Sequence, residues 1–255
     1  MQKFESRSVR CTTLLGLAFL ACKPAAPADA PATETAPAAA PAEAKAIGPV
    51  AACTTELVPA DDGTVEDFED GNNQLGVAAG RDGYWWIAKD GKGSQVTVPG
   101  DQFAPAEGGA GSAKAAHVAG TTVSGADAWG AEFGANFVNG QGALYDASKY
   151  AGIKFKAKAT GPTTKLRVSL GDVNTHQDAG KCKACWNHFR KEITATPEWA
   201  EYTVAFADLK QRDGWGDPRP PSVDPSQLVS VSFAVEGGQA FDIWIDDIQL
   251  LACKN

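Results

Sequence analysis

From Gly48 onward, apolar residues return at every second position in short runs separated by Gly, Pro, Asp and Asn clusters. Side chains of an extended strand alternate between two faces, so this pattern buries one face of a sheet and wets the other, whereas a helix needs a period near 3.6. Ile153, Phe155 and Ala157 alternate with Lys154, Lys156 and Lys158, and Leu166, Val168 and Leu170 with Lys165, Arg167 and Ser169, with Gly161-Pro162 as the turn between. Tyr202, Val204 and Phe206 form a third run, and Val229, Val231, Phe233 and Val235 a fourth; Phe241 to Leu251 is apolar enough for a central strand. Only Pro225–Leu228 and Ala207–Gln211 have helical character, each about one turn. Regular strand spacing over about 200 residues, with no internal repeat, predicts an all-β sandwich of two packed antiparallel sheets. Trp199 and Trp244, set in apolar patterns, are expected in its core.

The first 22 residues read as an address. Lys3, Arg7 and Arg10 precede the apolar stretch Leu14–Leu20, and Ala21-Cys22 follows, the order of a secretory signal. Phe19-Leu20-Ala21-Cys22 resembles a bacterial lipobox, with Phe19 in place of the usual Leu or Val, and makes Cys22 the expected lipidation site. Lys23 after that cysteine points to the outer membrane or cell surface; cleavage further on, within the Ala-rich stretch after Ala25, would instead give a secreted or periplasmic protein. Residues 23–47 hold twelve Ala and five Pro, too little bulk for a core and too many prolines for one helix, and so read as a disordered linker with a reach of roughly 75 Å. The domain is expected over 48–255 as a monomer, touching the membrane only through the lipid.

The full chain carries a charge of −8, and removal of residues 1–21 takes away Lys3, Arg7, Arg10 and Glu5, leaving −10. So acidic a surface disfavours nucleic acid, whose phosphates need a basic face. No run of about eighteen apolar residues is present to span a bilayer as a helix.

Beyond Cys11 and Cys22, four cysteines remain in a disulfide-permissive setting. Cys53 and Cys253 stand near the two ends of the domain, which in a sandwich lie side by side, and are expected to pair; closing so long a loop is worth about 2–4 kcal/mol. Cys182 and Cys185 then pair with each other, or join His176 and His188 in a zinc set, although His-x5-Cys-x2-Cys-x2-His is not a common finger spacing.

Several segments in order resemble the galactose-binding-like jelly rolls, above all the family 11 carbohydrate-binding modules and the related complex I intermediate-associated proteins. They are Val65–Gly71, Gly83-Tyr84-Trp85-Trp86, Trp129-Gly130-Ala131, Tyr150–Lys158, Arg167–Leu170, Thr196–Trp199 with Tyr202–Val204, and Asp242–Ile248. The resemblance implies a jelly-roll β-sandwich and the binding of a polysaccharide such as a β-glucan. It also implies a structural Ca2+ between the first strand and the terminal Asp-Asp; Glu69 and Asp247 are the expected ligands, with Asp67 and Asp246 as fallbacks. Alternation with Ile243 and Ile245 puts Asp247 on their face of the last strand.

Sugars are gripped by flat aromatic faces and by planar polar groups that hold adjacent hydroxyls. Trp186 and Trp215 sit in polar, Gly- or Asn-rich loops; Trp86 and Trp129 fit core packing and ligand stacking equally. Arg167, Asp172, Asn174 and His176 belong to a polar segment that reads either as a groove wall or as a solvated loop stapled by Cys182 and Cys185. A nucleophile elbow, a zinc-protease helix and a phosphate loop are all missing. Glu132, Asp172 and Glu198 are the carboxylates that a glycoside hydrolase would need, yet no spacing pairs them. The expected function is non-catalytic polysaccharide binding, with an envelope scaffold or protein-interaction domain as the alternative.

Overall fold

A computed structural model describes residues 53–254. The signal segment 1–22 with Cys22, the linker 23–47, and positions 48–52 and 255 of the expected domain lie outside the described residues. The strands are β1 (Leu57–Glu66), β2 (Trp85–Lys89), β3 (Gln95–Val98), β4 (Ala106–Glu107), β5 (Lys114–Thr121) and β6 (Ala131–Asn136). They continue as β7 (Gly152–Ala159), β8 (Lys165–Asp172), β9 (Phe189–Thr194), β10 (Ala200–Ala205), β11 (Leu228–Val235) and β12 (Ala240–Cys253). One sheet runs β10-β7-β12-β5-β3, with β1 added to β12 and β4 to β5; the other runs β2-β6-β11-β8-β9. Every strand pairing is antiparallel. This is the two-sheet all-β sandwich that the alternation predicts, in the jelly-roll form that the resemblance implies.

The core lies between the sheets and is filled by the inward half of each alternating run. Ile153 and Phe155 of β7 and Ile243 and Ile245 of β12 face Val168 of β8 and Phe133 and Phe233 of the second sheet, all buried. Phe233 meets Phe155 edge-on at 5.0 Å across the sandwich and stacks on Phe133 at 5.5 Å within its own sheet. The expected helical turns are present as single 3-10 turns, Phe206–Asp208 and Pro225–Gln227, and Gln177–Ala179 adds a third.

Trp199 and Trp244 correct the sequence reading, because neither joins the core. Trp244 lies between Ile243 and Ile245, so period two turns it outward; it is half-buried, stacked on His117 at 3.8 Å. Lys158 sits over both indoles, 4.9 Å from Trp199 and 4.6 Å from Trp244.

Cys53 is bonded to Cys253 and Cys182 to Cys185, which sets aside the zinc alternative for the second pair. Leu57 pairs with Cys253 in the β1–β12 ladder, so the first bond joins neighbouring strand ends.

Candidate functional site

The site is built on the outer face of the second sheet. Register across β2, β6, β11, β8 and β9 aligns Trp86, Gly134, Ser232, Ser169 and Arg190 in one row. Ala88, Glu132, Ala234, Arg167 and Glu192 form the next. The three central members of the first row are small, so the sheet is hollowed along its middle strands, with Trp86 and Arg190 as banks. The result is a cleft of about 640 Å³.

Loops raise the walls. Trp129 precedes β6, Trp186 lies between β8 and β9, and Trp215 lies between β10 and β11; all three line the cleft. They are 38%, 49% and 42% exposed, which forgoes much of the 1.5–3 kcal/mol that burying a large apolar side chain contributes and leaves their faces open to a ligand. Trp86 is half-buried, its indole N–H donating to Asn136 Oδ1 at 3.3 Å.

Two of the loop indoles, Trp215 and Trp186, have a built support. Asn187 is buried and donates from Nδ2 to the carbonyls of Arg212 (2.9 Å) and Trp215 (2.7 Å), while its Oδ1 accepts the Arg212 N–H at 2.9 Å. Trp186 adopts a left-handed backbone (φ 74°), unfavourable for a residue with a Cβ. It is held by its N–H donating to Thr175 O (2.8 Å) and its indole N–H to Gln177 Oε1 (3.1 Å). His176 and His188 meet the Trp186 ring edge-on at 4.9 and 5.8 Å. Burial lowers the pKa of both imidazoles, that of His188 to about 3, with further lowering by Arg167, Arg190 and, whenever it is protonated, His176. Both rings are therefore neutral at neutral pH, and His188 Nδ1 lies 2.9 Å from the Thr175 hydroxyl.

Arg167 stands among carboxylates. Its guanidinium pairs with Glu236 and lies 3.6 Å from Glu132, which also accepts the Ser232 hydroxyl, while Arg167 Nε is buried without a partner. Six of the residues expected at a sugar site, Trp86, Trp129, Arg167, His176, Trp186 and Trp215, meet in this one cleft. Asp172 and Asn174 do not. Asp172 is fully buried and accepts the backbone N–H groups of Asn174 (3.1 Å) and Asp224 (3.0 Å) and the Thr175 hydroxyl (2.9 Å). Burial pushes its carboxyl upward in pKa while these donors pull it down. Asn174 turns its amide onto the same carboxylate at 3.4 Å, so the pair shapes the loop and lies outside the cleft lining. Glu198 lies in the β9–β10 turn, outside the cleft. Arg190, Arg212 and Glu236 line the site unforeseen; the alternation of Arg190 with buried Phe189 is the signal that marks it as outward-facing.

The rim expected to hold calcium is arranged differently. A register shift interrupts β12 between Asp246 and Gln249, and Asp247 has φ 50°. This bulge buries Asp246 and turns Asp247 outward, off the face of Ile243 and Ile245. Asp247 then lies 2.7 Å from Lys156 Nζ, which also donates to Ala110 O at 3.1 Å. Asp246 accepts the Ala110 N–H and the Ser112 hydroxyl, and Glu69 accepts the N–H groups of Ala113 and Lys114. Calcium takes six to eight converging oxygen ligands. Here every carboxylate faces a donor, and no group of three metal-ligating side chains gathers among the described residues. Glu69 and Asp247, with the fallbacks Asp67 and Asp246, are thus not gathered into a calcium cage in this arrangement, and Lys156 stands beside Asp247. Treatment with EDTA is expected to leave the thermal midpoint unchanged to within about 1 °C, since only a ligand bound to the folded state raises it; a larger fall, restored by added calcium, would overturn this.

The family model for carbohydrate binding domain 30 matches residues 73–252, well over half of the chain. Among solved structures, the chain is similar to the family 11 carbohydrate-binding module from Clostridium thermocellum in complex with a β-1,3-1,4-mixed-linked tetrasaccharide. That pair shares 16% identity over 75% of this chain and 95% of the other, with a TM-score of 0.51. It is likewise similar to the family 11 module of the cellulosomal cellulase Lic26A-Cel5E of the same organism, at 15% identity over 74% and 94% of the two chains and a TM-score of 0.51. No curated protein matches. With its two-sheet jelly roll and its hollowed, tryptophan-lined outer face, the chain belongs to the carbohydrate binding domain 30 family.

Proposed function

We propose that the domain binds a β-glucan-like polysaccharide along the hollowed sheet face and performs no chemistry on it. The observation that carries this reading is the placement of three exposed indoles and the Trp86 bank around a trough floored by Gly134, Ser232 and Ser169. A trough with flat apolar banks suits a polymer of pyranose rings, and the neutral His176 and His188 offer hydrogen bonds to hydroxyls at neutral pH. The mixed-linked tetrasaccharide held by the family 11 module supports a β-glucan. The absence of chemistry is supported by the carboxylates: Glu132 is engaged by Arg167 and Ser232, and Asp172 is buried under its own hydrogen bonds. Affinity electrophoresis against soluble β-glucan, xylan and mannan is expected to show retardation by the β-glucan and no release of reducing ends. Migration unchanged by every polysaccharide would end this reading, and a co-purifying envelope protein retained by Trp215→Ala would favour a scaffold role.

We also infer export and tethering through Cys22, a reading supported by the two disulfides, since such bonds persist in oxidising compartments. Metabolic labelling with palmitate, lost in Cys22→Ala, is the expected result; equal labelling of that variant would refute it.

A further inference from the structure

The cleft does not stop at Arg167. A second hollow of about 640 Å³ adjoins it toward the β8–β9 edge, and the two share Arg167, Arg190, Arg212 and Glu236. Three guanidiniums thus converge where the hollows meet, in a chain whose overall charge is negative. The carboxylates nearby are already committed. Glu236 and Glu132 pair with Arg167, and Glu192 pairs with Lys165 at 3.0 Å. Asp178 lies at the aromatic end, where it accepts from Gln141 at 3.2 Å.

Arg190 and Arg212 pair with no carboxylate among the described residues. Arg190 reaches only the Asn187 Oδ1, at 3.5 Å, and Arg212 is held through its backbone by the same side chain. Burial, followed by repulsion from Arg167 and Arg212, brings Arg190 down to about 10. Arg190 and Arg212 thus keep no ion-pair partner of their own among these residues, and a guanidinium fork matches a carboxylate with two parallel hydrogen bonds.

We propose that the extended groove takes a glycan bearing carboxylate groups, a uronic-acid-containing polysaccharide, with one carboxylate seated between Arg190 and Arg212. This rests on the reading of the cleft as a polysaccharide site and adds a carboxylate subsite beyond the β-glucan trough.

The test uses one polymer in two states, a glucuronic-acid-bearing xylan and the same xylan after reduction of its carboxyl groups to alcohols, titrated calorimetrically into the protein beside a neutral β-glucan. The acidic form is expected to bind about tenfold more tightly than the reduced form at low salt, with the ratio shrinking as salt rises. In Arg190→Gln/Arg212→Gln, that ratio is expected to fall to about one. Equal affinity of the native protein for the two xylans would overturn the carboxylate subsite and leave sugar binding intact; binding to none of the three polymers would overturn both readings. Tighter binding of a sulfated glycan than of the uronate would overturn the choice of carboxylate.

Discussion

Phe233→Ala is expected to lower the stability of the domain by about 3–5 kcal/mol, measured by chemical denaturation with both disulfides intact. Phe233 is fully buried and is the ring at which the two sheets meet, edge-on to Phe155 of β7 and stacked on Phe133 of β6. Truncation removes its transfer free energy and leaves a cavity that paired strands on both sides are too constrained to close. Phe233→Leu keeps most of the volume, and the expected loss is about 1–2 kcal/mol. Losses below about 1 kcal/mol for the alanine variant would mean that the sheets are not held together at this ring.

Trp215→Ala is expected to weaken β-glucan binding about thirtyfold, a loss near 2 kcal/mol, typical of an aromatic anchor at the centre of a contact. The thermal midpoint should move little, because the indole is 42% exposed and removing surface apolar groups seldom costs more than about 0.5 kcal/mol. Asn187→Ala provides a graded counterpart: it keeps the indole but frees the carbonyls of Arg212 and Trp215, so affinity should fall less than in Trp215→Ala. Arg167→Ala is a poorer probe, since it strands Glu132 and Glu236 without their counter-charge and mixes folding with binding. Full affinity in Trp215→Ala would remove the cleft from consideration.

The strands and their two-sheet packing were legible because period two is a strong local signal: Ile153 to Ala157 and Val229 to Val235 each announce which face they bury. Trp186, Trp215 and Arg167 were legible for related reasons, an apolar side chain in a polar loop or a charge on the outward beat of a strand, whereas Trp86 and Trp129 fitted core and cleft equally. What was hidden depends on contacts distant in sequence. Asp172 looks available until the chain returns fifty-two residues later and Asp224 caps it. The bulge at Asp247 is a single residue that reverses which of two adjacent aspartates is buried, and nothing in Asp-Asp-Ile-Gln marks it. Arg212 and Glu236 reach the cleft from separate loops, so only the assembled fold brings them beside Arg190.

The hollow along the second sheet belongs to β6, β8 and β11, where a Cβ added at Gly134 would come within 2.7 Å of the Ser232 Cβ. The groups around it belong to connections that could be exchanged without disturbing those ladders. Capacity and taste are thus encoded separately: evolution, or an engineer, can redraw the menu of this domain by grafting rims while the bowl beneath stays the same.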